Sequence, residues 1–182
     1  MPTSRFNRRE LLAISVGAFA CCSARSLYAE QIQPTGRIAF VRGDFGDGGN
    51  RKIFLMNPDG SDLRPLTDDD DRPGEDQPSW SPDSQLIAFT AKERICVCKP
   101  NGTSLKILTP ANMQAEAPTW SKDATSIAFH AWNHDRSSSQ IYTMKSDGTD
   151  VRQLTKLEGY NWLPCWCADN PRSVFESPAP VN

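Results

Sequence analysis

Histidine is almost missing from this chain of 182 residues, which holds two, His130 and His134. The nucleophile elbow Gly-x-Ser-x-Gly, the glycine-rich phosphate loop and the zinc motif His-Glu-x-x-His are missing altogether. Each of those motifs places a reactive group at a fixed turn or helix face, so their absence leaves no sequence-level catalytic centre. No run reaches the roughly 20 apolar residues of a spanning helix. Positive charge is not in excess either, with 20 Lys and Arg against 22 Asp and Glu. Phosphate backbones are gripped by clustered cations, which excludes nucleic acid as a partner class. Hydrophobic residues make up 38% of the chain, enough to argue against wholesale disorder.

Residues 1–29 read as a leader. Four of the arginines (Arg5, Arg8, Arg9, Arg25) and a single acid (Glu10) fall within it, around an apolar run from Leu11 to Cys22 broken only by Ser15. That run is too short for a permanent anchor and fits a signal peptide core, with Ala29 at the cleavage position. Asn7-Arg8-Arg9-Glu10-Leu11-Leu12 looks like the twin-arginine export motif, and an ordinary secretory leader is the alternative. Either predicts a periplasmic protein. Cys21 is a weaker alternative as a lipidation site, because the leucine usual three residues before it is missing. Residues 30–36 read as a linker, 37–176 as repeats and 177–182 as a tail.

The repeats are defined by four markers recurring in one order. Ile53-Phe54-Leu55-Met56-Asn57-Pro58-Asp59-Gly60 aligns with Ile95 to Gly102 and with Ile141 to Gly148 at offsets of 42 and 46 residues. The same offsets carry Leu66-Thr67 onto Leu108-Thr109 and Leu154-Thr155. Pro-x-Trp occurs at Pro78/Trp80, Pro118/Trp120 and Pro164/Trp166, and Ile-Ala-Phe at 38–40, 87–89 and 127–129, with a decayed Ser173-Val174-Phe175 after them. Short apolar runs rich in Ile, Phe, Val and Trp, bounded by Gly, Pro and Asp, are strands. Asp59-Gly60 and Asp147-Gly148 supply the residues that a tight hairpin turn requires. Four such strands, here A (Pro-x-Trp), B (Ile-Ala-Phe), C (before the Gly turn) and D (before Leu-Thr), make an antiparallel propeller blade, so the fold class is all-β.

The unit resembles the repeat of the TolB propeller and related periplasmic propellers. The resemblance rests on Asn57-Pro58-Asp59-Gly60-Ser61-Asp62, on Asp76-Gln77-Pro78-Ser79-Trp80-Ser81-Pro82-Asp83 with Ile87-Ala88-Phe89, and on Glu116-Ala117-Pro118-Thr119-Trp120-Ser121-Lys122-Asp123. It covers about residues 36–176, and its last copy departs most, losing the acid before Pro164 and the serine after Trp166. The resemblance implies a TolB-like β-propeller acting as a non-catalytic, protein-binding scaffold, although such propellers also serve as peptidase gates and occasionally as enzymes. A metal-dependent carbohydrate-acting lyase built on His130 or His134 is the enzymatic alternative.

Counting strands gives B, C and D over 37–66, full sets over 77–108 and 117–154, and a final A and B over 163–175: about three blades and a remnant. Propellers close with about four to eight blades. Three arrangements answer this: a homodimer whose terminal strands exchange to close the ring, an open arc that folds on a partner, and a truncated, non-functional copy.

Alternate turns of a blade lie at opposite ends. The A–B and C–D turns are short, while the loops 42–51, 67–77, 109–117, 131–139 and 155–163 are long and varied, which marks their end as the binding face. Trp80, Trp120 and Trp166 are expected in the core; Trp132 and Trp162 lie near loops and are the expected contact residues. Asp68, Asp69, Asp70 and Asp71 stand on the same face as a solvated acidic loop, with Ca²⁺ as the alternative to no cofactor. His130 and His134 are too far apart along a strand for one small ion. Cys96 and Cys98 replace apolar repeat residues and are expected to pack. Cys165 and Cys167 replace polar ones, with a disulfide as an option.

Overall fold

The computed structural model describes residues 36–43, 50–67, 74–167 and 173–176. The chain divides into two units, Met1–Gly36 and Arg37–Asn182, and the description concerns the second; the leader, Asp68 to Asp71 and Asp169 lie outside the described residues. Among the described residues there are thirteen strands and no helix. They group into antiparallel sheets in chain order. The first holds β1 (Ile38–Arg42), β2 (Lys52–Met56) and β3 (Arg64–Pro65), which are strands B, C and D of a blade. Two full blades follow: β4 (Asp76–Trp80), β5 (Ile87–Ala91), β6 (Arg94–Cys98) and β7 (Lys106–Ile107), then β8 (Gln114–Trp120), β9 (Ser126–Trp132), β10 (Ser139–Lys145) and β11 (Arg152–Gln153). Strands β12 (Trp162–Trp166) and β13 (Ser173–Glu176) form the last pair. This is a partial β-propeller, with strand assignments that follow the repeat markers.

Every A strand carries the same irregularity. The ladder register shifts between Asp76 and Ser79, between Glu116 and Thr119, and between Trp162 and Cys165. Inside each bulge, Gln77, Ala117 and Leu163 take positive φ of 53, 54 and 50°. Pro78, Pro118 and Pro164 therefore sit where the ladder asks for no amide donor, which is how a proline persists in a strand. The bulges also correct two expected loops. Strand A starts at Asp76 and at Gln114, ahead of 77 and 117, because pairing resumes before the bulge.

Turn chemistry repeats with equal regularity. The Asp59 carboxylate accepts from the Ser61 amide (2.9 Å) and hydroxyl (2.6 Å), and Asp147 accepts from Thr149 in the same way. Asn101 does so with Thr103. Gly60, Gly102 and Gly148 close these turns at φ of 83, 78 and 90°, a region only glycine enters freely. The hydroxyl bonds, followed by the amide bonds, hold the Asp59 and Asp147 carboxyls below their ordinary 3.8. Blade 2 joins β5 to β6 by the two-residue turn Lys92-Glu93, both at positive φ, so not every B–C connection is long.

Alternation along the strands sends side chains to two cores, one between each pair of blades. Ile53, Leu55, Leu66, Ile87, Phe89, Ala91, Cys96 and Cys98 fill the first. Ala88, Ile95, Val97, Ala115, Trp120, Ile127, Phe129, Ala131 and Met144 fill the second. Cys96 and Cys98 are packing residues, as their alignment with Phe54 and Met56 indicated. The C–D turns of blades 2 and 3 also press on the residue that follows strand D of the blade before. A Cβ on Gly102 would collide with the Leu66 carbonyl oxygen, one on Gly148 would meet the Leu108 oxygen at 3.1 Å, and one on Gly60 would meet nothing within 4 Å. Alanine substitutions should rank accordingly in denaturant unfolding. Gly60→Ala meets only the left-handed backbone cost, about 1 kcal/mol, Gly148→Ala costs more, and Gly102→Ala costs most. Equal losses at all three would mean that inter-blade approach contributes nothing.

Candidate functional site

The long-loop end of blade 3 and of the last strand pair carries an aromatic cluster assembled from two chain segments. Trp132 ends β9, Trp162 begins β12, and Tyr160 precedes it in the connection from β11. Ring centroids lie 6.2 Å apart for Trp132 and Trp162, 5.8 Å for Trp132 and Tyr160, and 5.9 Å for the stacked pair Tyr160 and Trp162. The connection is fixed by Asn161, fully buried, whose amide donates to the Ser139 hydroxyl (3.0 Å) and whose side-chain amide donates to the Ser139 carbonyl (3.1 Å). Tyr160 and Trp162 remain 39% and 38% exposed, beside Leu163 and Leu157 at 51% and 52%. Trp132 and Trp162, expected as contact residues, are thus brought together. Tyr160 carried no repeat marker, and its place emerged only from the return of its loop beside Ser139.

Arg136 borders the cluster. Its guanidinium lies 5.6 Å from the Trp132 ring centre, donates to Glu93 Oε1 at 2.5 Å and stands 3.5 Å from Glu116 Oε1. It thereby ties the tight turn of blade 2 to the long loop of blade 3. Next to it opens a cavity of about 400 Å³ whose lining includes Arg51, Asp76, Gln77, Glu93, Glu116 and Arg136. Arg51 and Asp76 pair at 3.2 Å. Charges of both signs alternate around this opening, a surface suited to a polar, charge-balanced segment rather than to a polyanion. Gln77 crosses between blades, accepting from the Thr90 hydroxyl and from the Ala117 amide at 2.9 Å each.

His130 lies behind this surface at 2% exposure, edge-on to Trp132 at 5.5 Å. Neither ring nitrogen has a hydrogen-bond partner, and the nearest carboxylate, Glu116 Oε2, stands at 3.8 Å. Burial, and then the positive charge of Arg136, push its pKa down to about 4. His134 is exposed in the loop that follows β9. Among the described residues no group of three His, Cys, Asp or Glu could hold a metal ion. Cys165 and Cys167 are free and exposed.

The repeat tryptophans interlock from blade to blade, although only Trp120 is buried while Trp80 and Trp166 are half-buried. The Trp120 indole donates to the Ser79 carbonyl at 3.1 Å, and the Trp166 indole to the Thr119 carbonyl at 3.2 Å. Each tryptophan thus reaches the residue between Pro and Trp in the blade before. Glu75, fully buried, had no marker in the sequence; it accepts from the Ile53 amide (3.0 Å) and the Thr67 hydroxyl (2.5 Å).

A solved TolB of Agrobacterium tumefaciens superposes with a TM-score of 0.61 at 21% identity, over 74% of this chain and 48% of that one. The chain folds as TolB-like propeller repeats. TolB of Acinetobacter baumannii matches with a TM-score of 0.54 at 24% identity, over 66% of this chain and 30% of that one. An oligogalacturonate lyase of Vibrio parahaemolyticus gives 0.51 at 11% identity, over 69% and 38%. At these identities the likeness concerns the fold. The chain spans about half the length of the Agrobacterium TolB. No protein-family model matches the sequence, nor does any curated protein. No helix among the described residues is long and apolar enough to cross a membrane.

Proposed function

We propose that this protein is exported to the periplasm and acts there as a non-catalytic scaffold, holding a protein partner on the long-loop end of its TolB-like blades. The observation that carries this reading is the exposed cluster of Trp132, Tyr160 and Trp162, set beside the charge-balanced opening around Arg136 and Glu116. Aromatic rings gathered on a rigid support, with polar groups at their margin, are the usual composition of an interface hot spot. The leader motif around Arg8 and Arg9 supports the compartment, and the poverty in histidine supports the absence of chemistry. The reading takes no cofactor.

Trp162→Ala is the discriminating variant. Its ring is well exposed, so truncation should leave the melting temperature nearly unchanged while weakening capture of the partner 30-fold or more, the loss of about 2 kcal/mol at a hot spot. Trp132 is half-buried and roofs His130, so Trp132→Ala should lower stability as well. Capture unaffected by Trp162→Ala would remove the aromatic cluster from the interface. Chelation of divalent metal should leave the melting temperature where it was; a downward shift would instead favour Ca²⁺ at Asp68 to Asp71, or the lyase alternative.

A further inference from the structure

The indole of Trp80 breaks the pattern set by the other two anchors. Its Nε1 is buried and has no hydrogen-bond partner, whereas Trp120 and Trp166 each donate to the A strand of the preceding blade. The preceding blade is the sheet β1-β2-β3, in which no strand A stands among the described residues. Among the described residues β1 is paired on one side only, with β2. A free strand edge is a template for an incoming strand, and a buried donor without an acceptor is rare enough to require explanation. The two vacancies coincide, since an A strand laid along β1 would bring a backbone carbonyl to Trp80.

We infer that the occupant is β12 of a second copy of this chain, exchanged reciprocally so that two copies close one ring. Strand count favours it. The described strands β1 to β12 amount to three four-stranded blades once β12 joins a neighbouring β1, and two copies of them give six, within the roughly four to eight with which propellers close. Strand β12 is already an A strand, anchored to its own blade 3 by Trp166, so it need not move. It needs only to take the second copy's β1 in place of β13. The register is readable from the complete blades, where Ser79 faces Ala88, Trp80 faces Ile87, Thr119 faces Ala128 and Trp120 faces Ile127. Cys165 and Trp166 would accordingly face Ala39 and Ile38 of the second copy. The alanine that answers this position in both complete blades is Ala39 in β1 but Val174 in β13. The Trp80 indole would then donate to the Cys165 carbonyl, completing the chain of tryptophans around the ring. The outer face of the first blade is finished to match: Phe54 and Phe40, at 6.1 Å, occupy the side on which Cys96 and Tyr142 pack against a preceding blade. Each contact joins two different edges, β12 of one copy and β1 of the other, so the pairing is head to tail, and it closes at two copies because each supplies half of the six blades. It is independent of what binds the long-loop face.

Light scattering of the exported full chain should return twice the single-chain mass; a single-chain mass, or open-ended assembly, overturns the inference. The register is tested with Ala39→Cys, which places a thiol opposite the native Cys165 at a spacing that antiparallel pairs allow a disulfide. Mild oxidation should link two copies through positions 39 and 165, at least ten-fold more than in the same variant carrying Cys165→Ser. A link formed within one chain, or one indifferent to Cys165→Ser, overturns it. Trp80→Phe keeps the ring and deletes the donor; it should raise the dimer Kd about five- to ten-fold, and an unchanged Kd overturns the assigned contact. Circular dichroism on each variant separates these outcomes from misfolding.

Discussion

Trp120→Ala should lower the free energy of unfolding by about 3–5 kcal/mol, the range for truncating a buried aromatic. Trp120 is 5% exposed and packed in the core between blades 2 and 3. Its loss opens a cavity between sheets whose strand A bulges fix their spacing, so collapse around it is limited. The Ser79 carbonyl also loses its indole donor. Trp120→Phe separates the two contributions: the ring largely remains, and the loss should fall to about 1–2 kcal/mol, comprising one hydrogen bond and part of the contact area. Urea unfolding followed by circular dichroism measures both. A domain holds only about 5–15 kcal/mol in all, so the alanine variant should give up a large share of its stability and unfold at a much lower urea concentration. If it unfolds at the same urea concentration as the parent, the Pro-x-Trp tryptophans do not hold the blades together.

Stability should fall as the medium is acidified from pH 6.5 toward 4, and His130 should account for most of the fall. In the folded chain its pKa is pushed down to about 4 by burial and by Arg136, against 6.5 in the unfolded chain. Between those values the unfolded state takes up the proton that the folded state refuses, so unfolding is favoured by added protons. The stabilisation is complete above pH 6.5 and lost progressively down to about 4, on the order of 3 kcal/mol over the interval at 1.36 kcal/mol per pKa unit. Glu116, the acid that faces the ring at 3.8 Å, is drawn toward Arg136, so it does little to retain the proton. His130→Gln should flatten melting temperature against pH across this window. Parallel profiles for the variant and the parent would mean that the imidazole titrates freely. Below the window the turn aspartates take over: Asp83, Asp123 and Asp147, held below 3.8 chiefly by hydroxyl donors, lose their stabilising contribution as they protonate.

The blades were legible because their determinants are local. A hairpin turn closes between residues that are neighbours in the chain, so Asp59-Gly60 and Asp147-Gly148 announce the turn they form. Alternation in Ile-Ala-Phe and in the strand after it states which side chains share a face. Repetition then multiplies a weak signal, and even Cys96 and Cys98 could be assigned to packing by the residues they replace. The candidate site was legible only in part. Trp132 and Trp162 stood out as tryptophans lacking a repeat role, but Tyr160 and Arg136 looked like ordinary loop residues. Their meeting depends on two loops from adjacent elements being turned toward each other.

An all-β chain of TolB-like blades, the order of their strands and the tryptophans that anchor them follow from local residue pattern. Packing of the blades is what brings Tyr160 to the two loop tryptophans, buries His130 without a hydrogen-bond partner, sets Glu75 on the Ile53 amide, and leaves Trp80 without an acceptor where its counterparts have one. The difference is physical. Turn and strand preferences act between residues a few positions apart, whereas each of these contacts spans two chain segments and exists only once the sheets are stacked at a fixed separation and angle.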